Sequence, residues 1–520
     1  MSDSHRFNLA TMKGNKPWAE AVADAVIAQH PNEEMYTVAA GISPSGVVHF
    51  GNFRDIMTAH MVRETLQAKG KKARLIFSWD NFDRMRKVPA GVPESFSEHI
   101  GKPLSKVPDP FGAVASYAEH FQQPFVEAMK KLGIEIEYRN QTELYESGVY
   151  DEKIKLALQH REEIADVLLS FMTEKAMTAK GIDAAEYRKN FYPISIYSRF
   201  TGKDSTKIVS YDGDMGVTYY CAETKKKDTV DLREHHIAKL NWKMDWPMRW
   251  QYENVHFEPG GSDHAAPGSS YDVSTVVAKK IFHIEPPIFV EYMFVGIRGL
   301  GAKMSGSKGN AVSPLDLLDI YDPKLLLWLY ERKDPNQSFE LAFDSEIYRQ
   351  YDEYDREHEI NQAVSFRQLV GFGQIVQWQE DKLTTILDQL TLDYDKNVIR
   401  ERLPLAKSWL EKYNADEAVT LRSESNREYI ETLNEKQKAL IARLHDELAT
   451  KPEASITDLE FLTYQIPKDP NVDEATLKKE QRQFFKDVYN LLIGKDTGPR
   501  LGTFLWAADR KKVLELLSID

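Results

Sequence analysis

Cysteine, long apolar runs and an excess of positive charge are all missing or scarce in this sequence. A single cysteine, Cys221, stands among 520 residues, which excludes an intrachain disulfide and a zinc site built from several thiolates. No stretch approaches the roughly 20 apolar residues that a membrane-spanning helix needs. Residues 1–16 have no apolar core of the kind found in secretory signals. We therefore expect a cytoplasmic protein that does not enter a membrane.

The charge balance is acidic, with a formal net charge of −13. Nucleic-acid-binding proteins are more often basic, but an acidic chain still binds RNA when its lysines and arginines gather on one face. The charge therefore argues only against long-lived non-specific binding along a polyanion.

A strand–helix–strand pattern near the start of the chain predicts a parallel sheet. Residues 35–41 have the apolar run of a buried strand, a helical pattern extends from about His49 to Lys69, and residues 73–80 are a second strand. This order predicts an α/β fold with a Rossmann-like, doubly wound parallel sheet and right-handed crossovers. We expect residues 288–296 to be a further core strand.

Changes in composition along the chain predict several domains, because 520 residues exceed what one core serves. Residues 191–250 have the short alternating runs of a small inserted module, and the chain has helical spacing from about Tyr321 to its end. We predict the following segments: 1–185, the first half of the catalytic domain; 186–240, a zinc-free inserted module; 241–325, the second half; and 326–520, an all-α domain.

The first candidate motif is residues 44–52 (PSGVVHFGN), placed where the first strand ends and the helix begins. A helix N-terminus offers free N–H groups and a positive dipole end, which favour phosphate. Gly46 and Gly51 allow the backbone to approach a nucleotide. His49 is a hydrogen-bond donor for phosphate oxygens that gain charge in a transition state. Asn52 suits the same work or a contact with the ribose or base of the nucleotide. Taken alone, the motif also describes an ordinary turn with a surface histidine.

The second candidate motif is residues 303–310 (KMSGSKGN). Two cations among small residues suit a loop that closes on a triphosphate, because lysine binds phosphate as a point charge. Ser313 and Pro314 then have the residue types of a helix start, with serine at the N-cap and proline at the first helical position. Taken alone, a solvated basic turn accounts for the motif equally well.

Together the two motifs resemble the two signatures of class I aminoacyl-tRNA synthetases, which hold ATP from opposite sides. The order SPSGVVHFGNFRD, SWDNFDRMRKVP, KMDWPMRW, GSDHAAPGSSYD and KMSGSKGN is similar to class I lysyl-tRNA synthetases from about Thr37 to Asn310. The helical part with residues 494–502 resembles the anticodon-binding cage of the same enzymes. Two positions depart from the signatures: Asn52 stands where a histidine is usual, and Gly306 where a lysine is usual.

The resemblance implies ATP-dependent activation of L-lysine to lysyl-adenylate, followed by transfer to the 3′ end of tRNA(Lys). It implies ATP and Mg²⁺ as requirements and tRNA as a partner that is needed already in the first step. Because the chain has a single cysteine, we expect no metal-ligating side chains. The resemblance gives catalytic roles to His49, Asn52, Lys303 and Lys308. The implied contacts to ATP are Pro44, Ser45, Gly46, His49, Gly51, Asn52, Lys303, Met304, Ser305, Ser307 and Lys308.

One position bears on the choice of amino acid. Glutamyl-tRNA synthetases resemble this chain at the first motif but carry an arginine seven residues before its first glycine, where it pairs with the substrate carboxylate. Here that position is Ala39, and a carboxylate buried without a cation is costly. A lysine ammonium instead needs carboxylates or aromatic faces. The resemblance implies a lysine pocket that includes Gly41, Ser43, Trp242, His264 and Tyr292.

Carboxylates near these positions add two candidates for the lysine pocket, Asp80 after the second strand and Asp245 beside Trp242. Purely structural roles stay open for both groups, because tryptophans at four-residue spacing are typical of a core and an aspartate after a strand is typical of a turn. In the inserted module, relatives carry zinc ligands, of which only Cys221 is present here. We therefore expect apolar packing there, around Tyr211, Val217 and Tyr220.

Three other functions remain open. The chain has the motifs of a synthetase for another amino acid. It also shares the His-x-Gly signature of nucleotidyltransferases that act on smaller substrates, although the basic loop and the helical domain disfavour this alternative. A tRNA-binding paralogue without catalysis is the third, since Asn52 and Gly306 depart from the signatures. The sequence does not indicate an oligomeric state.

Overall fold

The computed structural model describes residues 5–11, 16–179, 181–266, 268–299, 312–360 and 364–519. The chain forms two compact units. The first comprises Met1–Ile297, Gly301–Leu318 and Leu326–Leu341, and the second comprises Arg298–Leu300, Asp319–Leu325 and Ala342–Asp520. Within the described ranges, no helix has the length and apolar character needed to cross a membrane.

The described strands are short, and most belong to the first unit. They are β1 Tyr36–Ile42, β2 Ala73–Trp79, β3 Glu137–Asn140, β4 Ile194–Ile196, β5 Thr206–Tyr211, β6 Gly216–Cys221, β7 Lys227–Asp231, β8 Ala238–Leu240, β9 Val255–Gly261, β10 Ile288–Tyr292, β11 Val295–Arg298 and β12 Phe339–Ala342.

Fourteen of the described α-helices precede Leu341. They are α1 Trp18–Gln29, α2 Phe50–Ala68, α3 Tyr117–Lys131, α4 Gln141–Glu146, α5 Asp151–Gln159, α6 Arg161–Ser170, α7 Glu174–Ala179, α8 Ala184–Asn190, α9 Leu232–His235, α10 Trp242–Glu253, α11 Ser262–Ala265, α12 Ser270–Val277, α13 Pro314–Leu317 and α14 Pro323–Glu331.

The second unit is built almost wholly from helices. They are α15 Glu346–Glu357, α16 Phe366–Ile375, α17 Glu380–Gln389, α18 Lys396–Ser408, α19 Arg427–Thr432, α20 Glu435–Thr450, α21 Ile456–Gln465, α22 Glu474–Ile493, α23 Leu501–Ala507 and α24 Arg510–Leu517. Leucine, isoleucine and phenylalanine side chains from α20 to α24 form one of its cores.

Five strands form the central sheet in the order β10-β9-β1-β2-β3, and every neighbouring pair is parallel. Helix α2 connects β1 to β2 and packs on both strands. β1 is a nearly continuous apolar run with its first five residues buried, as expected for a strand covered on both faces. The predicted Rossmann-like α/β fold is confirmed.

The inserted module lies between β4 and β8, which pair with each other in antiparallel fashion and so bring the two ends of the module together. Between them, β5, β6 and β7 form an antiparallel sheet. Val217 is buried, as predicted, in a core that the module shares with residues outside it such as Tyr150 and Val273, and Tyr211 packs against that core. Tyr219 is fully buried there, whereas the predicted Tyr220 is half-buried, because neighbouring residues of a strand point to opposite faces.

Two sequence-based boundaries were wrong. The segment 288–296 is not one core strand, since β10 ends at Tyr292 and β11 pairs with β12 in a separate two-stranded sheet. Met293 follows β10 directly, and its N–H donates to the carbonyl of Pro335 at 2.8 Å instead of continuing the central sheet. The second correction is β12 itself, a strand inside the stretch that helical spacing assigned to helix throughout.

Candidate active site

A cleft of about 770 Å³ opens at the carboxyl ends of the parallel strands. Its lining includes Gly41 at the end of β1, Asp80 after β2, Gly261 at the end of β9 and Tyr292 at the end of β10. In open α/β sheets, this edge is where ligands bind.

His49 is the N-cap of α2 and lines the cleft. Its Nδ1 accepts the N–H of Gly51 at 3.1 Å, and burial lowers the pKa of the imidazole, so that the ring is neutral at pH 7. A neutral ring that accepts at Nδ1 carries its proton at Nε2. Within the part of the chain that the structure describes, His49 therefore has one N–H donor left for a ligand.

The first motif reaches the cleft through its second half. Gly51 and Asn52 line the cleft together with His49. Pro44, Ser45 and Gly46 precede them in the same turn and are not part of the lining formed by the described residues. The hydroxyl of Tyr117 holds this turn by donating to the carbonyl of Ser45 at 2.8 Å.

The second motif falls outside the described residues, so the predictions for Lys303, Met304, Ser305, Ser307 and Lys308 stay predictions. The helix start predicted after it is confirmed. Ser313 caps α13 and forms a capping box with Asp316, and Pro314 occupies the first helical position.

Most of the residues predicted for a lysine pocket come together in the cleft. Those that line it are Gly41, Ser43, Asp80, Trp242, His264 and Tyr292. Gly41 leaves little space, because a Cβ added there would lie 2.9 Å from the carbonyl oxygen of Ser78. A larger residue at this position would push β1 away from β2.

Asp245 is the predicted pocket residue that the structure does not bring to the cleft. It is fully buried and accepts hydrogen bonds from Arg249 (2.5 Å), Lys239 (3.1 Å) and the hydroxyl of Tyr145 (2.6 Å). Burial alone would raise the pKa of Asp245, but the two cations lower it below its usual range. Its charge is already neutralised inside the protein.

Asp80 belongs to the same ionic network but faces the cleft. Its carboxylate pairs with Arg249 at 2.5 Å, and Lys239 pairs with Asp83 at 2.9 Å. The Arg249 guanidinium also lies 5.5 Å from the ring centroid of Trp242. The network therefore holds a carboxylate and a tryptophan on the same wall.

Aromatic rings form that wall. Trp242 and Trp246 stack with ring centroids 5.0 Å apart, and His264 lies 5.7 Å from Trp246. Trp246 and Trp250 also pack in the core beneath the sheet with Tyr271. The sequence left open whether the tryptophans belong to the core or to the cleft, and the structure places them in both.

The cleft lining also includes carboxylates that the sequence did not predict, among them Asp55 on α2 and Glu258 on β9. Asp55 accepts the N–H of Gly41 at 3.3 Å and a hydrogen bond from Tyr292. Burial raises its pKa well above the usual range. Burial likewise raises the pKa of Glu258 to about 7, although Trp250 donates to it at 2.7 Å. Within the described part of the chain, neither forms an ion pair.

Both residues carried a signal in the sequence. Glu258 is the one acidic residue in the strand VHFEPGG, and a charge inside a buried strand is rarely structural. Asp55 lies four residues after Gly51, so the helical period places it on the same face of α2 as the motif.

The family model of class I (K) tRNA synthetases matches residues 16–370. The chain belongs to the class I lysyl-tRNA synthetase family. A lysine–tRNA ligase of Streptomyces coelicolor is 38% identical, with 96% of this chain and 98% of the relative covered. A lysine–tRNA ligase of Thermococcus kodakarensis is 35% identical, with 97% of this chain and 99% of the relative covered. Among solved structures, a glutamate–tRNA ligase from Elizabethkingia meningosepticum aligns with a TM-score of 0.44 at 11% identity, over 93% of this chain and 98% of that one.

The position of Ala39 in the structure bears on the choice of amino acid. The side chain of Ala39 lines the cleft and lies in the core formed with Ile76 and Trp246. Where the glutamyl enzymes place a cation, this chain has a methyl group. Among the described residues that line the cleft, the carboxyl groups of Asp55 and Glu258 have no ion-pair partner.

Proposed function

We propose that this chain activates L-lysine with ATP and transfers the lysyl group to the 3′ end of tRNA(Lys). The observation that carries the proposal is the pair of carboxylates in the cleft, Asp55 and Glu258, which have no cationic partner among the described residues. A substrate that brings a positive charge supplies that partner.

Charge balance favours lysine over glutamate. Burial raises the pKa of each carboxylate because the ionised form lacks compensation, and an ammonium group between them reverses that cost. A glutamate side chain would add a third carboxylate to the same recess, where like charges repel. The faces of Trp242 and Trp246 suit both the aliphatic stem and the cation of lysine.

The remaining part of the cleft suits the phosphates of ATP. The Nε2–H of His49 and the side chain of Asn52 stand at the first turn of α2, where free N–H groups and the helix dipole favour anions. The nearby Asp80 and Asp83 are already paired with Arg249 and Lys239. We therefore place Mg²⁺ on the phosphates of ATP and water, which is its usual mode of binding beside nucleotides.

The proposed chemistry has two steps. The carboxylate of lysine attacks the α-phosphorus of ATP, which forms lysyl-adenylate and releases pyrophosphate. The 3′-terminal ribose hydroxyl of tRNA then attacks the lysyl carbonyl, which forms lysyl-tRNA and releases AMP. No protein nucleophile takes part, so His49 acts by donating a hydrogen bond to phosphate oxygens as their charge grows.

The other parts of the proposal rest on the family resemblance. Residues 326–520 are proposed to bind the anticodon, residues 186–240 form the inserted module, and Lys303 and Lys308 close on the phosphates. The expected cytoplasmic location stays a prediction.

The test is aminoacylation of total tRNA with each of the twenty amino acids, with ATP and Mg²⁺ present. Charging with lysine alone supports the proposal. Charging with another amino acid keeps the chemistry and rejects the lysine pocket. Binding of tRNA without any charging favours the non-catalytic paralogue.

A further inference from the structure

The segment 5–7 lies beside β10, on the far side of that strand from β9. The N–H of Phe7 donates to the carbonyl of Phe289 at 2.9 Å, and the N–H of Phe289 donates to the carbonyl of His5 at 2.8 Å. The segment thus extends the sheet by one short parallel bridge, centred on Arg6 and Phe289.

The side chain of Arg6 leaves this bridge and holds a different element. One guanidinium nitrogen donates to the carbonyl of Ala265 at 2.5 Å, and another forms an ion pair with Asp272. The guanidinium also lies 5.1 Å from the ring centroid of Tyr271. Ala265 is the last residue of α11, the single turn that carries His264 into the cleft.

Two further hydrogen bonds hold the connection between α11 and α12. The second carboxylate oxygen of Asp272 accepts the N–H of Gly268 at 2.6 Å, and the hydroxyl of Ser269 donates to the carbonyl of His264. Arg6 therefore binds both ends of the connection between α11 and α12.

The contacts of Arg6 with Ala265 and Asp272, here called the clamp, stabilise α11, which is too short to be stable by itself. A helix of four residues leaves its terminal carbonyls without partners, and one isolated turn is unstable in water. A cation at the C-terminal end satisfies a carbonyl and complements the dipole. The His264 side chain is 39% exposed, so packing alone does not fix its position.

We infer that Arg6 is a positioning residue for His264, acting from outside the cleft through Ala265 and Asp272. In this role it sets the place of the imidazole beside Trp242 and Trp246, and so the fit of the amino-acid substrate. The effect of Arg6 on the fit of the amino-acid substrate rests on the proposed function. The stabilisation of α11 by Arg6 does not.

The kinetic test is Arg6→Met, which keeps a side chain over Tyr271 but removes the donors and the charge. In lysine-dependent ATP–pyrophosphate exchange with tRNA present, we expect KM for lysine to rise about tenfold with a smaller change in kcat, as for a lost charge-assisted hydrogen bond. Arg6→Lys should restore part of the loss. The control is Arg188→Met, which removes an arginine from an exposed pair with Asp166 in the same unit and should leave KM unchanged.

A double-mutant cycle separates positioning from a general effect on the fold. In a His264→Ala background, Arg6→Met should cause no further rise in KM, because the group it positions is gone. If the two effects multiply instead, Arg6 does not act through His264 and the inference is overturned.

Hydrogen exchange tests the clamp without any substrate. In Arg6→Met, the amides of residues 263–266 and 268–272 should exchange at least about tenfold faster, while those of β1 and β2 keep their rates. Unchanged exchange in α11 overturns the inference, whatever the kinetics show. Should the wild-type chain not use lysine, the proposed function fails alone, and the exchange result still decides the role of Arg6.

Discussion

The imidazole of His49 rests directly against the backbone of Gly51. Its Nδ1 accepts the N–H of Gly51 at 3.1 Å, and a Cβ added at Gly51 would lie 2.9 Å from Cε1 of the ring. The glycine of the first motif therefore has a second task besides leaving room for a nucleotide. It gives the histidine the space in which its Nδ1 accepts this N–H while the ring lines the cleft.

Gly51→Ala should therefore impair catalysis by displacing His49. We expect lysine-dependent pyrophosphate exchange to fall at least about tenfold in kcat, since one preorganised donor is worth that much or more in a transition state. The control is Gly371→Ala in α16, where an added Cβ meets no atom within 4 Å. A kcat equal to that of the wild type would show that the contact with Gly51 does not set the position of His49.

Glu258 is predicted to determine affinity for the substrate side chain. Glu258→Gln keeps the shape and removes the charge, so KM for lysine should rise at least about tenfold, as when a hydrogen-bonded charge loses its partner. The matched control is Glu291→Gln, an exposed glutamate on the neighbouring strand β10. Equal KM values for Glu258→Gln and the wild type would place the ammonium group elsewhere.

The pH dependence of lysine binding follows from the same residue. Burial raises the pKa of Glu258 to about 7 in the free protein, so below pH 7 the carboxyl must lose a proton before it pairs with the ammonium. KM for lysine should rise by up to about tenfold per unit of pH below 7 and level off above it, while the lysine side chain stays protonated throughout. In Glu258→Gln the slope between pH 6 and 8 should become shallower, and what remains belongs to Asp55, whose pKa burial also raises. A slope as steep as that of the wild type would assign the titration to a group other than Glu258.

The sequence predicts those site residues whose role depends on neighbours in the sequence. It does not predict those whose role depends on partners that only the fold brings close. The strand–turn–helix around His49 is predictable because the apolar periodicity of the strand and helix and the residues of the first motif indicate the same structure. The pairing of Asp245 with Arg249 and Lys239 is not, because Asp245 and Trp242 look equivalent in the sequence while the fold turns one inward and the other to the cleft. Glu258 is the one acidic residue of its strand, but its position beside β1 and Ala39 follows only from the order of the strands in the sheet.

Asp245 is predicted to be important for stability. Asp245→Asn would leave two buried cations, Arg249 and Lys239, short of a carboxylate. Removing one partner from such a network costs about 3–5 kcal/mol in the free energy of unfolding. Urea unfolding followed by tryptophan fluorescence measures this, with Asp166→Asn as the control, because its exposed pair with Arg188 contributes at most about 1 kcal/mol. Equal losses in the two variants would mean that the network is not a stabilising unit.

The second unit exposes aromatic rings on α21 and lysine and arginine side chains on α22. Phe461 and Tyr464 are 67% and 54% exposed on the same face of α21, and Tyr464 contacts Phe485 of α22 at 5.3 Å between ring centroids. On α22 itself, a shallow groove is lined by Lys478, Lys479, Arg482 and Lys486. Exposed rings stack on unpaired bases, and cations bind the phosphates between them.

If this surface binds tRNA, two kinds of variant should differ in their effects. Phe461→Leu with Tyr464→Leu should weaken tRNA binding about tenfold at any salt concentration, since one base stacked on an aromatic ring contributes about 1–3 kcal/mol. Arg482→Gln should weaken it less and lower the slope of log Kd against log salt by about one, as the loss of one phosphate contact does. Filter binding of tRNA to the full chain measures both, with Arg356→Gln, an exposed arginine on α15, as the control. Unchanged binding in the aromatic double variant, with pyrophosphate exchange intact, would exclude α21 from the RNA interface and leave the proposed activity standing.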